Sequence, residues 1–184
     1  VDRLNSAVDM GAWRACKDNH LTLDNLRDRV AWCIDVAPDG NHVALAAAAV
    51  GDDERVRVEI VESWESPDQA REQLQAWVDA NEPCQISWFP GGPAGVLGAD
   101  IRQLVAPKAV ADRYAHDKKW RFVREIKGAE QLETCQEFAD LVMARRILHP
   151  DDPLLNAHVA AAQKLRQGDG WRFVRRGAGH VDAA

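Results

Sequence analysis

At 184 residues the chain is long enough for one domain with a sizeable core and short for two. With 46% hydrophobic and 28% charged residues, its composition is that of an ordinary globular protein, which argues against a disordered or fibrous chain. A net charge of −6 excludes nucleic-acid attraction by bulk charge, so any such binding needs a local basic patch or a bound cation.

No apolar run approaches the roughly 18 residues that cross a bilayer, and no stretch reads as a signal peptide, so no membrane association is expected. Cys16, Cys33, Cys84 and Cys135 are widely separated, without C-x-x-C spacing, and three lie in apolar segments. They read as small buried hydrophobes of a reduced, cytosolic protein.

Residues 1–28 are polar and weakly periodic, with Trp13 among several charges, and read as a tether from an upstream domain. Leu21 to Arg29 forms a short turn or helix leading in. Residues 29–184 then form a single domain. Val30 to Ala37 is an apolar run that ends on one carboxylate, Asp35, and Pro38-Asp39-Gly40 turns the chain into a second apolar run, Val43 to Val50. Two strands joined by a short Gly-containing turn are a hairpin. An isolated carboxylate at a strand end is costly to bury unless a cation, a helix N-terminus or an arginine meets it. Gly51-Asp52-Asp53-Glu54 is a second turn. Arg55 to Trp64 alternates polar and apolar, the period of a strand with one wet face.

Ser66-Pro67-Asp68 is a helix start, with a serine cap, proline in the first turn and an acid beside it. Ala70, Leu74, Trp77 and Val78 recur at helical spacing, which predicts a helix over 67–81. Pro83 to Phe89 suits a buried parallel strand, broken by Pro90-Gly91-Gly92-Pro93. Ala94 to Leu104 reads as a helix, Trp120 to Ile126 as a strand, and Gly128 leads a long amphipathic helix to near Arg146. His149 to Pro153 caps a helix from 153 to about 166. Trp171 to Arg175 is a short strand, and Gly177 to His180 precedes a last helix that begins near Asp182. The basic clusters, Arg145-Arg146 and Arg172 to Arg176, each read alone as a solvated face.

The order is βββαβαβα, then a helix, a short strand and a last helix: an α/β chain with a mixed sheet, antiparallel strands first and parallel strands after, and helices on both faces. That order, with one acid on the first strand and another opening the last helix, resembles the RNase H-like fold. Its first strand is central and its last helix crosses that strand's end, so Asp35 and Asp182 would converge. Oxygen-only ligands suit one or two Mg²⁺ or Mn²⁺ ions, which activate water for phosphodiester hydrolysis.

Three stretches are more specific: CIDVAPDG (33–40), EFADLVMARRILHPDDPLLNAHVAAAQ (137–163) and GWRFVRRGAGHVDAA (170–184). Over residues 28–184 the chain resembles the C-terminal nuclease domain of the large terminase subunit of tailed bacteriophages. The resemblance implies an ATP-hydrolysing translocase domain before residue 1. It also implies a Mg/Mn-dependent endonuclease that cuts concatemeric double-stranded DNA with low sequence specificity, in the host cytoplasm, alongside the portal and small terminase subunit. Asp35 matches the first catalytic carboxylate and Asp182 the last. The chain departs from the family at the end of the strand 83–89, where an acid is usual and Phe89 stands. Ser87, Glu62 and Asp100 are the oxygen donors considered as substitutes. Arg172, Arg175, Arg176 and His180 are candidate DNA contacts, because phosphate contacts give affinity without sequence choice.

Other candidates carry structural readings. His149 and His158 suit capping or core positions, Asp39 suits its turn, and Asp151 and Asp152 suit a helix start. Gly91-Gly92 lacks P-loop spacing. Two alternatives remain: another RNase H-like nuclease of the resolvase or transposase type, and a degenerate, non-catalytic docking domain, which Phe89 favours.

Overall fold

The structure, a computed structural model, describes residues 6–175. Its frame is a six-stranded sheet in the order β5-β4-β1-β2-β3-β6. The antiparallel part is a meander of β1 (Ala31–Val36), β2 (Val43–Val50) and β3 (Val56–Trp64). Its first turn is made by Gly40 at φ +74°, while the Asp39 carboxylate accepts from the Asn41 N–H at 2.8 Å. This is the left-handed geometry that a Pro-Asp-Gly turn allows. β4 (Gln85–Trp88) and β5 (Val123–Glu125) extend the sheet in parallel beyond β1, so β1 is internal.

Alternation along β1 decides which side chains face which layer. Trp32, Ile34 and Val36 are buried on one face, under α2 (Pro67–Asn81), α3 (Gly98–Arg102) and α4 (Lys108–Arg113). α2 forms where its spacing predicts. The Ser66 side chain accepts from the Gln69 N–H at 3.3 Å, Pro67 takes the first turn, and Ala70, Leu74 and Val78 are buried. Burying Leu74 alone contributes roughly 2 kcal/mol. The opposite face, which carries Cys33 and Asp35, is covered by α1 (Met10–Ala15), α5 (Ala129–Met143) and α6 (Pro153–Ala161) around a second cluster of Val8, Trp13, Val142, Ile147, Leu155 and Val159.

Three expectations are corrected. The first is the tether: residues 6–29 pack as part of the domain. Trp13 on α1 is 1% exposed, donates through Nε1 to Asn156 at 2.8 Å and stacks on His149 at 3.9 Å. The hydrophobic positions are too few to show a period, and they bury only because α5 and α6 supply the other half of the cluster. The second is the helix 153–166, which stops at Ala161. At Ala162 the backbone turns extended, and β7 (Ala162–Gln167) pairs with β8 (Gly170–Arg175) around Gly168 at φ +62°. The two-residue Gly168-Asp169 connection is a hairpin signal, stronger here than the helical propensity of Gln163 to Gln167. The third is a two-residue strand, β6 (Ile147–Leu148), that pairs with β3 directly after the predicted helix. No helix among the described residues is long and apolar enough to cross a membrane.

His149 fixes this N-terminal packing. It is 1% exposed; its Nε2 donates to the Trp13 carbonyl at 2.8 Å and its Nδ1 accepts from the Asp151 N–H at 3.2 Å. Both ring nitrogens are used by the neutral imidazole, and burial pushes its pKa below the ordinary 6.5. The unfolded chain therefore takes up this proton first as pH falls. The histidine's contribution to stability is complete above pH 6.5 and is lost as pH drops from there through the folded-state pKa. Thermal melts should show a lower Tm at pH 5 than at pH 7.5, with a smaller difference in His149→Gln. An undiminished pH dependence in that variant would contradict this role.

Candidate active site

Asp35 stands one residue before the end of β1, on the face opposite Ile34 and Val36. Its Oδ1 accepts from the Val36 N–H at 2.9 Å. The carboxylate lines a cleft of about 240 Å³ built from four places in the chain. Pro38 comes from the β1–β2 turn, and Phe89, Gly92 and Pro93 from the turn after β4. Gln131 and Cys135 come from the start of α5, and Arg172, Phe173 and Val174 from β8. The Cys135 thiol accepts from the Phe173 N–H at 3.4 Å, which ties β8 to α5 and sets the cleft's far wall.

The strand below Asp35 is partly covered. Cys33 lies two residues back on the same face, and burial pushes its thiol up to about 12. The Asp35 charge adds to that shift, and a hydrogen bond with Ser87 opposes it. A half-buried carboxylate keeps more of its attraction for a cation than a fully exposed one, because less water screens it. The four cysteines are free thiols. Burial raises the pKa of Cys16, Cys84 and Cys135 as well, so all four are poor nucleophiles.

The candidate substitutes for the acid missing at Phe89 do not line this cleft. Ser87 faces Cys33 across the parallel β1–β4 pair, one step of about 6.6 Å down the strands from Asp35, and donates to the Trp32 carbonyl at 3.2 Å. Glu62 is on β3, two strand spacings or about 9.6 Å from β1, beside the bulge at Leu45/Ala46; it accepts from the Ser63 N–H at 2.8 Å. Asp100 on α3 pairs with Arg71 at 2.8 Å and lines a separate groove with Leu74 and Gln75. Phe89 does line the cleft. Continuing the Cys33–Ser87 register by two residues sets Phe89 level with Asp35.

Arg172 lines the cleft as its cation. Arg175 ends β8, while Arg176, His180 and Asp182 lie outside the described residues. Among the described residues Asp35 is the one carboxylate in the cleft lining, and no three His, Cys, Asp or Glu side chains gather to hold a metal ion. Gln131 and Cys135 escape sequence reasoning, since an amphipathic helix does not reveal which of its turns meets a distant strand end.

No protein-family model and no curated protein matches the chain. Solved structures do match. The large terminase of bacteriophage HK97 aligns with 97% of the chain at 16% identity and a TM-score of 0.57. The large terminase of a thermophilic bacteriophage aligns with 97% at 12% identity and 0.62. The large terminase nuclease of thermophilic phage G20c, solved with bound magnesium, aligns with 84% at 13% identity and 0.50. The chain spans 41% of the HK97 protein, 43% of the second large terminase and 76% of the G20c nuclease. At these identities the likeness is one of fold. The chain has the RNase H-like mixed α/β fold, in the form that the large terminase nucleases of several phages share.

Proposed function

We propose that the chain is a metal-dependent endodeoxyribonuclease domain that cuts double-stranded DNA with low sequence specificity. The observation that carries the reading is the placement of Asp35 at the end of an internal strand of this fold, in one cleft with Arg172. A carboxylate oxygen is a suitable donor for Mg²⁺ or Mn²⁺, so the cleft fits such an ion in part. Asp35 and Asp182 would hold it. When bound, the ion supplies Lewis acidity and lowers the pKa of a water that attacks the phosphodiester.

The chain's own residues do the rest. Arg172 lines the cleft, and its positive charge would offset that of a phosphate there. Phe89, Pro38 and Pro93 give the cleft apolar walls. In this reading Arg175, Arg176 and His180 extend the phosphate contacts from the strand β8 onward.

Because the chain spans about two fifths of two of these large terminases, the reading includes an ATPase domain of the same protein upstream. It includes the portal and the small terminase subunit as partners, and concatemeric DNA cut in the host cytoplasm during packaging. Supercoiled plasmid incubated with Mg²⁺, Mn²⁺ or EDTA tests the core of it. Nicked and linear products with either metal, and none with EDTA, are expected; an inert protein with both metals would sink the reading.

A second reading, a degenerate domain that docks DNA or the portal without cutting, is favoured by Phe89 in the cleft. Phe89→Asp separates the two. On the nuclease reading it adds a donor level with Asp35 and raises metal affinity roughly tenfold, seen as nicking at lower Mn²⁺. On the docking reading the variant stays inert.

A further inference from the structure

The loop between α4 and β5 carries Lys118, Lys119 and Arg121, all exposed. Among the described residues none of the three is held in an ion pair, whereas nearby Lys108, Arg124 and Lys127 are committed to Asp112, Glu130 and Glu125. Between Lys108 and Lys127 the sequence has seven basic and three acidic residues, in a chain whose net charge is −6. Asp117 and Trp120 interrupt the basic run, so it does not stand out as the arginine clusters do.

The fold holds this loop in one shape. The Asp117 carboxylate accepts from the Lys119 and Trp120 N–H groups at 2.8 and 3.2 Å. Trp120 stacks on Tyr114 at 4.9 Å between ring centroids, with an interplanar angle of 8°, and donates through Nε1 to the Cys84 carbonyl at 3.0 Å. The Arg121 guanidinium donates to the Lys118 and Trp120 carbonyls at 2.9 and 2.8 Å. The Gln85 side chain donates to the Arg121 carbonyl at 2.9 Å. Asp117, the nearest acid in sequence, is spent on backbone caps. The loop backbone and the Arg121 guanidinium are thereby set, which lowers the ordering cost of binding.

Cys84 precedes β4 and Phe89 follows it, so the loop lies at the opposite end of the sheet from the cleft, about 16 Å along the strand. We propose that Lys118, Lys119 and Arg121 form a second DNA-backbone site, gripping duplex phosphates about five base pairs from the point held in the cleft. The site rests on the nuclease reading only for which duplex it grips. A phosphate is spaced about every 3.4 Å along each strand. The loop packs through Trp120 on the Trp32–Ile34–Val36 face and Asp35 stands on the other, so the duplex would pass around the β5 edge to reach both places. Point charges on phosphates give affinity without sequence choice and make it depend on salt.

The test is fluorescence anisotropy of the 184-residue protein with a labelled 20-base-pair duplex in EDTA, over a range of NaCl. EDTA stops cleavage, so binding is read apart from catalysis. Lys118→Ala/Lys119→Ala should lower the slope of log K against log[salt] by about 2 and weaken binding to all sequences alike. Adding Arg121→Ala should lower the slope by about 1 more. Lys17→Ala, which removes a cation paired with Asp151 near the far edge of the sheet, should keep the wild-type slope, and binding in EDTA is read whether or not the protein cuts. Unchanged slope and affinity in the double variant would overturn the site, as would wild-type protein that binds no duplex at low salt. The double variant leaves the Arg121 anchor in place, and an unchanged Tm confirms that the loop still folds.

Discussion

Asp35→Asn should lower metal-dependent nicking by about 100-fold or more and leave the fold intact. Changing groups that merely orient a metal ligand costs about 10–100-fold, and removing the charge of a direct ligand costs at least that. The substitution is nearly isosteric. An amide oxygen can still accept from the Val36 N–H, which now bonds Oδ1 at 2.9 Å. The strand should therefore keep its place, and the Tm should move by little. One side effect checks the geometry independently. The Asp35 charge is the second contributor, after burial, that raises the Cys33 thiol pKa, so its loss should bring that pKa down. Activity equal to wild type in Asp35→Asn would remove Asp35 from the chemistry.

Trp13→Ala should be the most destabilising single truncation in the N-terminal segment, at about 4 kcal/mol. Trp13 is almost fully buried, fills the cluster between α1, α5 and α6, and stacks on His149. Truncation leaves a large cavity and removes the donor that bonds Asn156 Oδ1 at 2.8 Å. At roughly 2–4 °C per kcal/mol for a chain of this size, the Tm should fall by about 10 °C. A tether would give a change near zero. Chemical denaturation of Trp13→Ala therefore decides whether residues 6–29 belong to the domain.

Legibility in the sequence follows the strength of local punctuation. β1, β2, β3 and α2 are readable because Pro38-Asp39-Gly40 and Ser66-Pro67 mark their ends, with apolar runs filling β1 and β2 and clear periods filling β3 and α2. The segments that carry Trp13, His149 and Ala162 are not, since their form depends on contacts across more than a hundred residues. Trp13 meets Asn156, and Ala7 bonds the carbonyl of Ala162 at 2.9 Å. At the site, Asp35 and Phe89 are legible because each sits at a strand end next to a turn. Ser87, Glu62 and Asp100 are reasonable oxygen donors by type. Only strand register and the Arg71 ion pair set them away from the cleft. Cys135 and Gln131 give no signal, since a position on α5 meets β1 only through the packing of the two layers.

The central claim is that Asp35 holds a divalent cation. A crystal of the 184-residue protein soaked in Mn²⁺ and measured for anomalous scattering tests it most directly. The account predicts a manganese peak about 2.1 Å from an Asp35 carboxylate oxygen, lost in Asp35→Asn crystals. A peak elsewhere, or an empty cleft at saturating Mn²⁺, would contradict it.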